Sequence, residues 1–307
     1  MDVGGTKVSV AVLDDASLSE PVLVKTDTSS SEALVDQLEA QIRAAGVEGA
    51  AAVGIGIPSV VDFATGTARA SVNVPLQGVA LRDVLTERLD TPVFVDNDAT
   101  VAALAEAHDE DGEPMAGSLI MFTVGTGVGG GIVIGGRIYR GATGAAAELG
   151  HMIIGADVTD GAPQAGDHFP REGSLELLAA GRALDHLGDE RGIGDGHAVV
   201  DAAHEGDAEA IDVLRVLGER LGVGIANAIN TFDPDVVVIG GGVSAAGDLL
   251  LEPARESAGR FVLTGVGTKT EIRIARLGPL AGVRGAALLG GQETDREASE
   301  REGAPTP

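Results

Sequence analysis

The chain has no cysteine and no tryptophan, a single tyrosine, and only three lysines, at positions 7, 25 and 269. Without thiols, neither a disulfide framework nor a thiolate metal site can form. Its 21 Lys and Arg residues face 47 Asp and Glu, a formal net charge of −26. It therefore lacks the clustered cations that contacts to nucleic-acid phosphates require. No apolar run reaches the ~18 residues needed to cross a bilayer, and no basic segment precedes an apolar one at the start. These absences point to a soluble, cytoplasmic protein with neither nucleic acid nor a membrane as partner.

At 307 residues the chain is most simply two domains, each able to bury a core. Self-repulsion at its net charge loosens a compact state in dilute buffer, whereas at molar salt the Debye length falls to ~3 Å. Acid excess, few lysines, few bulky aromatics and abundant Ala, Val and Gly together read as a halophilic cytoplasmic protein.

What is present in excess is glycine, and its placement is not random. The apolar run Leu119 to Val124 reads as a buried strand, and six mostly glycine residues follow before a second run from Gly131 to Tyr139. Gly125, Gly127, Gly129, Gly130 and Gly131 allow positive φ and leave backbone N–H groups open to an anion, most often phosphate. Gly125, Gly127 and Gly130 also satisfy G-x-G-x-x-G, but that fingerprint must open a helix. Here Ile132, Val133 and Ile134 followed by Gly135-Gly136 signal a hairpin instead, so the loop joins strand to strand. Residues Asp2, Val3, Gly4, Gly5, Thr6 and Lys7 make a second glycine turn before the alternating strand Val8, Val10, Val12. Asp2 at its mouth can orient a hydrated Mg²⁺, and Thr6 or Lys7 can meet a phosphate. Only Met1 precedes Asp2, so either the first strand is short or the start site is assigned too late.

Further along, Ser29 to Ala45 has helical periodicity, with Ser31 as N-cap and Gly46 as stop. Ala51 to Ile57 is a strand, the loop 59–74 holds Asp62 and Asn73, and Leu81 to Leu89 is a helix. This succession is an α/β signature. Val93 to Val95 is a strand with Asp96, Asn97 and Asp98 at its carboxyl end, ahead of an alanine-rich helix. Ligand sites of open α/β sheets gather there, and three such residues exceed what a helix cap needs, leaving a carboxylate as candidate general base. His108 to Met115 is a charged, solvent-facing loop. Glu148 and His151 lie three apart, Gly155 to Gly173 is an irregular excursion, and Ser174 to Leu184 is a helix carrying Glu176. Further helices follow at Val199 to Glu209 and at Ala210 to Ile229, the latter with a buried stripe of Leu214, Leu217, Leu221 and Ile225. Strand Asp235 to Ile239 then runs into Gly240, Gly241 and Gly242 and a helix from about Ala245. Ile272 to Ala275 is a last strand, a small-residue helix starts at Gly285, and 293–307 reads as a disordered tail. Three glycine turns and no single P-loop suit a polyphosphate held from several sides, and an aspartate to accept a hydroxyl proton completes the inventory for ATP plus an alcohol.

Asp2 to Lys7 (DVGGTK), Val95 to Ala99 (VDNDA), Phe122 to Val133 (FTVGTGVGGGIV), Glu148 to His151 (ELGH) and Val238 to Ser244 (VIGGGVS) resemble the ROK family, the sugar kinases and repressors of the actin-like ATPase superfamily. Five motifs in order over nearly the whole chain carry the resemblance, which is greatest to the glucokinase branch. It implies an α/β, two-lobed actin-like ATPase (ribonuclease H-like) fold. The small lobe would be 1–115 joined by the C-terminal helix 284–292, and the larger lobe 116–283, around an ATP cleft. It implies ATP and Mg²⁺, with Asp98 as base toward the 6-hydroxyl of a hexose, most simply glucose at the head of glycolysis. Asn97, Glu148, His151 and Glu176 become sugar hydrogen-bonders, with Asn73 added. Gly4, Gly5, Thr6, Lys7, Thr123, Gly125, Thr126, Gly127, Gly240, Gly241 and Gly242 line the nucleotide, and the enzyme is expected to be a homodimer. The family's zinc site of one histidine and three cysteines has no counterpart. Counting back from Glu176, its cysteine positions fall on Asp167, Phe169 and Ser174, which leaves His151 a sugar or structural role. Rival readings are a kinase for fructose, mannose or an N-acyl amino sugar, a sugar sensor without catalysis, and a repressor. The last needs a helix-turn-helix ahead of the first glycine turn, where the sequence has only Met1.

The charge balance gives a first test. The melting temperature is expected to climb as KCl rises from dilute buffer to ~2 M, the range over which screening becomes complete; a melting curve indifferent to salt contradicts the halophilic reading.

Overall fold

The computed structural model describes residues 1–71, 73–163 and 166–301, and two compact units divide the chain. The first unit comprises Met1–Met115, Gly131–Ala146 and the chain from Pro279 onward; the second comprises Ala116–Gly130 and Ala147–Gly278.

The first unit opens with the short strands β1 (Asp2–Val3), β2 (Lys7–Val10), β3 (Leu13–Asp14), β4 (Ser17–Leu18) and β5 (Val22–Lys25). Helix α1 (Ser31–Ala44) follows, then β6 (Val53–Ile57), β7 (Ser59–Asp62), β8 (Thr67–Ser71), α2 (Leu81–Leu89), β9 (Val93–Asn97) and α3 (Asp98–Glu106). Its sheet has the order β5-β2-β1-β6-β9. The pairs β1–β6 and β6–β9 are parallel, while β2 is antiparallel to both its neighbours. Leu34, Leu38, Ile55, Ile57, Leu81 and Leu85 bury fully and close the core between sheet and helices.

In the second unit β10 (Ser118–Val124) leads into β11 (Val128–Ile134), which crosses into the first unit at Gly131 and there turns back as β12 (Arg137–Ile138). Helices α4 (Leu175–Ala179), α5 (Gly181–Glu190), α6 (Gly196–His204) and α7 (Ala208–Phe232) come next. Strand β13 (Val236–Gly240), α8 (Asp248–Phe261) and β14 (Glu271–Ile274) complete the unit. β10, β13 and β14 run parallel. α7 buries Leu214, Leu217, Leu221 and Ile225 as its periodicity requires. The last element, α9 (Ala281–Arg301), belongs to the first unit, where it lies against β6 and α3.

Several expectations need correction. Gly129, Gly130 and Gly131 lie inside β11, and among the residues with positive φ none of Gly125, Gly127, Gly129, Gly130 or Gly131 occurs. Gly127, Gly130 and Gly131 serve close approach: a Cβ on Gly131 would lie 2.5 Å from that of Ala103 on α3, whereas one on Gly125 would meet no atom within 4 Å. The true left-handed turn is Gly135-Gly136, with φ of 57° and 73°, as a two-residue hairpin demands. Ser30, not Ser31, caps α1, accepting from the Ala33 N–H. The loop 59–74 holds the hairpin β7–β8, whose register shifts between Val60 and Val61. The helix expected over 174–184 breaks at extended Ala180, and Asp207 caps α7 three residues ahead of the expected start. His108 is buried rather than solvent-facing: its Nδ1 lies 2.7 Å from the Leu104 carbonyl and its Nε2 3.1 Å from Gln292 Nε2.

Two corrections bear on the domain division. Residues 131–146 belong with the first unit because Gly131 packs on α3 and Arg69 donates to the Thr143 carbonyl at 3.1 Å. The expected disordered tail is helical through Arg301, held by Arg296 between Glu293 and Glu300 and by Arg301 on Glu297; 302–307 lie outside the described residues.

Gly285 shows how tightly α9 is seated, since a Cβ there would overlap the Val101 carbonyl of α3. Gly→Ala inside a helix ordinarily stabilises by about 1 kcal/mol. Gly285→Ala is expected to do the reverse, losing about 1–3 kcal/mol to overpacking; a higher urea midpoint for the variant would refute the packing account.

Candidate active site

In the first unit, β1 and β2 form the turn that holds Gly4, Gly5, Thr6 and Lys7. The Gly4 N–H is used within the turn, donating to the Lys7 carbonyl at 2.9 Å, and Thr26, which no sequence motif singles out, donates its hydroxyl to the Gly4 carbonyl at 2.7 Å. Thr6 and Lys7 are exposed. Asn73 stands beside the turn, 3.3 Å from where a Cβ on Gly5 would be. It also lines a polar cavity of about 450 Å³ with Thr28, Ser31, Ser71 and Gln77.

Asp98 is placed by the cap of its own helix. β9 ends at Asn97, whose side-chain oxygen accepts from the Thr100 N–H at 3.1 Å and whose amide donates to the Ser59 carbonyl at 3.3 Å. The cap is therefore Asn97, and Asp98 follows as the first helical residue, half-buried, with Oδ1 accepting from the Ala99 N–H at 2.8 Å. A carboxylate at a helix N-terminus is stabilised as the anion by the helix dipole. Asp2 lies close by. A Cβ on Gly56 of β6 would be 3.4 Å from the Asp98 Cα and 3.6 Å from Asp2 Oδ1, so both aspartates border one small glycine face. Asp2 also abuts Gly282 at the start of α9. Desolvation raises the Asp2 pKa, against the opposing pull of the N-terminal ammonium and Lys7. Gly56 and Gly282 were not legible as site residues, because a single glycine in a strand or helix carries no local signal.

The buried carboxylate at this junction is Asp96, 1% exposed. Its Oδ1 accepts from the Asn97 N–H at 2.9 Å and its Oδ2 from Arg140 Nε at 2.8 Å. Burial pushes its pKa up, and Arg140 opposes that.

In the second unit the carboxyl ends of β10 and β13 lie side by side, with Thr123 paired to Gly240. The Gly125 N–H donates to the Gly127 carbonyl at 2.9 Å, and the Gly125 carbonyl accepts from Gly181 at the start of α5 at 2.7 Å. Gly241, at φ +84°, passes so close to the Val124 backbone that a Cβ would stand 2.6 Å from the Val124 carbonyl carbon. Two of the expected glycine loops thus meet at the ends of parallel strands, where ligands of α/β sheets bind. Thr126, Gly241 and Gly242 are exposed there. After Gly241 the chain makes a 3-10 turn, Gly242–Ala246, before α8, which delays the expected helix to Asp248.

Glu176 sits in the first turn of α4, capped by Ser174, and one of its oxygens accepts from the Val128 N–H at 2.8 Å. Gly127 is glycine because a Cβ there would strike this carboxylate. Thr126 and Glu176 also border a cavity of about 480 Å³ with Arg182, His186, Glu190 and Arg220. Glu148 and His151 flank a 3-10 turn, Leu149–His151, with Oε2 and Nε2 3.8 Å apart. Partial burial raises the Glu148 pKa, His151 lowers it and Glu176 raises it, so the three expected sugar residues share one neighbourhood.

The zinc positions do not fit zinc. Asp167 is exposed, Ser174 is buried as a helix cap, and Phe169 presents an edge to the His151 ring at 5.2 Å and 74°. Among the described residues no three potential ligands cluster.

The profile of the ROK family matches residues 1–293. A glucokinase of Halalkalibacterium halodurans is 35% identical over 310 residues, covering 94% of this chain and 93% of its own. An N-acetyl-D-glucosamine kinase of Vibrio cholerae is 34% identical, covering 94% of this chain and 97% of its own. The solved structure of a ROK family glucokinase from Streptomyces griseus, in complex with glucose and AMPPNP, superimposes with a TM-score of 0.77 at 32% identity, over 95% of this chain and 98% of its own. The fold is accordingly the α/β, two-lobed actin-like ATPase fold. No helix among the described residues is long and apolar enough to cross a membrane.

Glu148 supplies a titration test. Because the fold favours its neutral form, Glu148 contributes stability below the ordinary carboxylate pKa and loses it as pH rises through the raised one. Glu148→Gln is therefore expected to be more stable than the parent at neutral pH, by less than about 1 kcal/mol for a half-exposed group. The difference should vanish in acid; a constant difference across pH would show that burial of charge is not its cause.

Proposed function

The chain belongs to the ROK family, and from that premise we propose that it is an ATP-dependent sugar kinase that phosphorylates glucose at its 6-hydroxyl. The observation that carries the reading is the placement of Asp98: first residue of α3, at the carboxyl end of β9, on the same glycine face as Asp2. A carboxylate so held can accept the proton of the attacking hydroxyl as the oxygen takes up the phosphoryl group. Asn97, Asn73, Glu148, His151 and Glu176 hold sugar hydroxyls, Glu148 and Glu176 as acceptors and the amides in both senses. The exposed turn residues Thr6 and Lys7, with Thr126, Gly241 and Gly242, meet the nucleotide.

Asp2, a carboxylate at the mouth of the first glycine turn, is the residue that would hold a hard cation. It would hold Mg²⁺ through water, and that ion would neutralise charge on the phosphates. Glucose is favoured by the glucokinases among the relatives, which are of similar length to this chain. An N-acyl amino sugar is the rival, since N-acetyl-D-glucosamine kinases match nearly as well. We further propose a cytoplasmic homodimer serving glycolysis at high salt.

A coupled ATP assay across glucose, mannose, fructose and N-acetylglucosamine at high KCl separates these sugars; the highest kcat/KM on N-acetylglucosamine would replace glucose. Asp98→Ala is expected to lower kcat by at least ~10²-fold, the scale of losing a general base, while sugar binding survives. Turnover near the parent's would remove Asp98 from the mechanism.

A further inference from the structure

Arg140 follows β12, in the segment that returns to the first unit, and no motif or expected role accounts for it. Its guanidinium is shared: Nε donates to Asp96 Oδ2 at 2.8 Å and Nη2 to Glu293 Oε1 at 3.0 Å. The Phe63 ring lies against its face, 3.5 Å from Cζ to the centroid, which fixes the plane of the fork. Glu293 is itself clasped by Arg296 at 2.6 Å. The two carboxylates that Arg140 serves are almost wholly buried, at 2% and 6% side-chain exposure.

Burying two carboxylates around one guanidinium is a costly way to gain stability, since apolar residues of like volume commonly do as well. What such a network supplies that apolar packing does not is position. The Asp96 carboxylate spans the guanidinium on one oxygen and the Asn97 N–H on the other. Asn97 is the cap that starts α3, and Asp98 is the next residue. A displacement of Asp96 therefore reaches Asp98 through one amide and one cap.

We propose that Arg140 is a positioning residue for Asp98, acting through the buried Asp96 carboxylate that it holds at the junction of β9 and α3. The proposal rests on the reading of Asp98 as base. It makes α9, through Glu293, a remote support of the same junction.

The test is a double-mutant cycle on turnover at saturating glucose and ATP. Arg140→Met is expected to lower kcat about 10- to 100-fold, the scale of a misplaced reacting group, with the KM for ATP unchanged. In an Asp98→Asn background the same substitution should change the residual rate by less than about threefold, because both act on one group. A full effect of Arg140→Met in that background would overturn the proposal, as would a kcat equal to the parent's. Should Arg140→Met fail to fold, Arg140→Lys keeps a cation under both carboxylates but not the planar fork. Its melting temperature should hold while kcat falls, and a fully active lysine variant would also overturn the proposal. An Asp98→Asn enzyme at full activity would instead sink the assignment of the base, a result distinct from a normal Arg140→Met beside an inactive Asp98→Asn.

Discussion

The first unit depends on how it disposes of buried negative charge. Asp96 and Glu293 lie inside it, and an unpaired carboxylate there would cost several kcal/mol after all relaxation. Arg140 sits between them and Arg296 lies beyond, so two anions alternate with two cations. The members come from β9, from the segment after β12 and from α9, which are far apart in sequence. Neutralising this charge therefore requires residues 131–146 and the C-terminal helix to join the unit that residues 1–115 begin. The unit's composition follows from the pairing, with Gly131 on Ala103 and Gly285 on Val101 as the close contacts that let the pairing form.

Outside the core the charge problem is different in kind. Surface ion pairs such as Arg43–Glu39, Arg215–Glu219 and Arg301–Glu297 follow helical spacing, and solvent screening leaves each of them little weight in stability. Pairing also leaves the sum untouched: 21 cations matched to 21 of 47 acids still leave the net at −26. Local salt bridges cannot remove that repulsion, and only counterions can. The buried network and the acidic exterior thus differ in their response to salt, the first shielded from it and the second governed by it.

How much of this was legible in the sequence depends on the range of the interaction. Periodicity placed α1, α7 and the strands around Val53 and Val93, because burial of one face is recorded in the local order of residues. The α/β class and the ends of β9, β10 and β13 as glycine- and acid-rich points were legible for the same reason. Where a neighbour from elsewhere decides, the reading failed. Charged residues 293–301 look like a tail until Arg140, 153 positions away from Glu293, is known to meet them. Gly129 and Gly130 looked like part of an anion-binding turn, whereas they are strand residues, and Gly130 is thinned for Leu149 as Gly131 is for Ala103. Ser30 and Ser31 both suit an N-cap by type, and only the start of the helix chooses between them.

A chain without thiols must also settle the excursion at 155–173 by other means. A structural zinc contributes about 10–16 kcal/mol to the peptides it folds, whereas an edge-to-face aromatic pair contributes about 0.5–1.5 kcal/mol. The contact of Phe169 with His151, backed by Arg171 at 4.3 Å from the Phe169 ring, belongs to the second class. What closes the excursion is its base: Gly155 and Ile154 donate to the Gly173 carbonyl, and Leu175 donates to that of Met152. These backbone bonds lie beside α4 and so keep Ser174 and Glu176 in register with the Val128 N–H, whether or not the tip of the excursion is held. His151 and Glu176 are thereby tied to the unit through different structures, an aromatic edge for one and a helix cap for the other. The absence of thiolates at Asp167, Phe169 and Ser174 therefore does not by itself undo the carboxylate that borders the glycine loop.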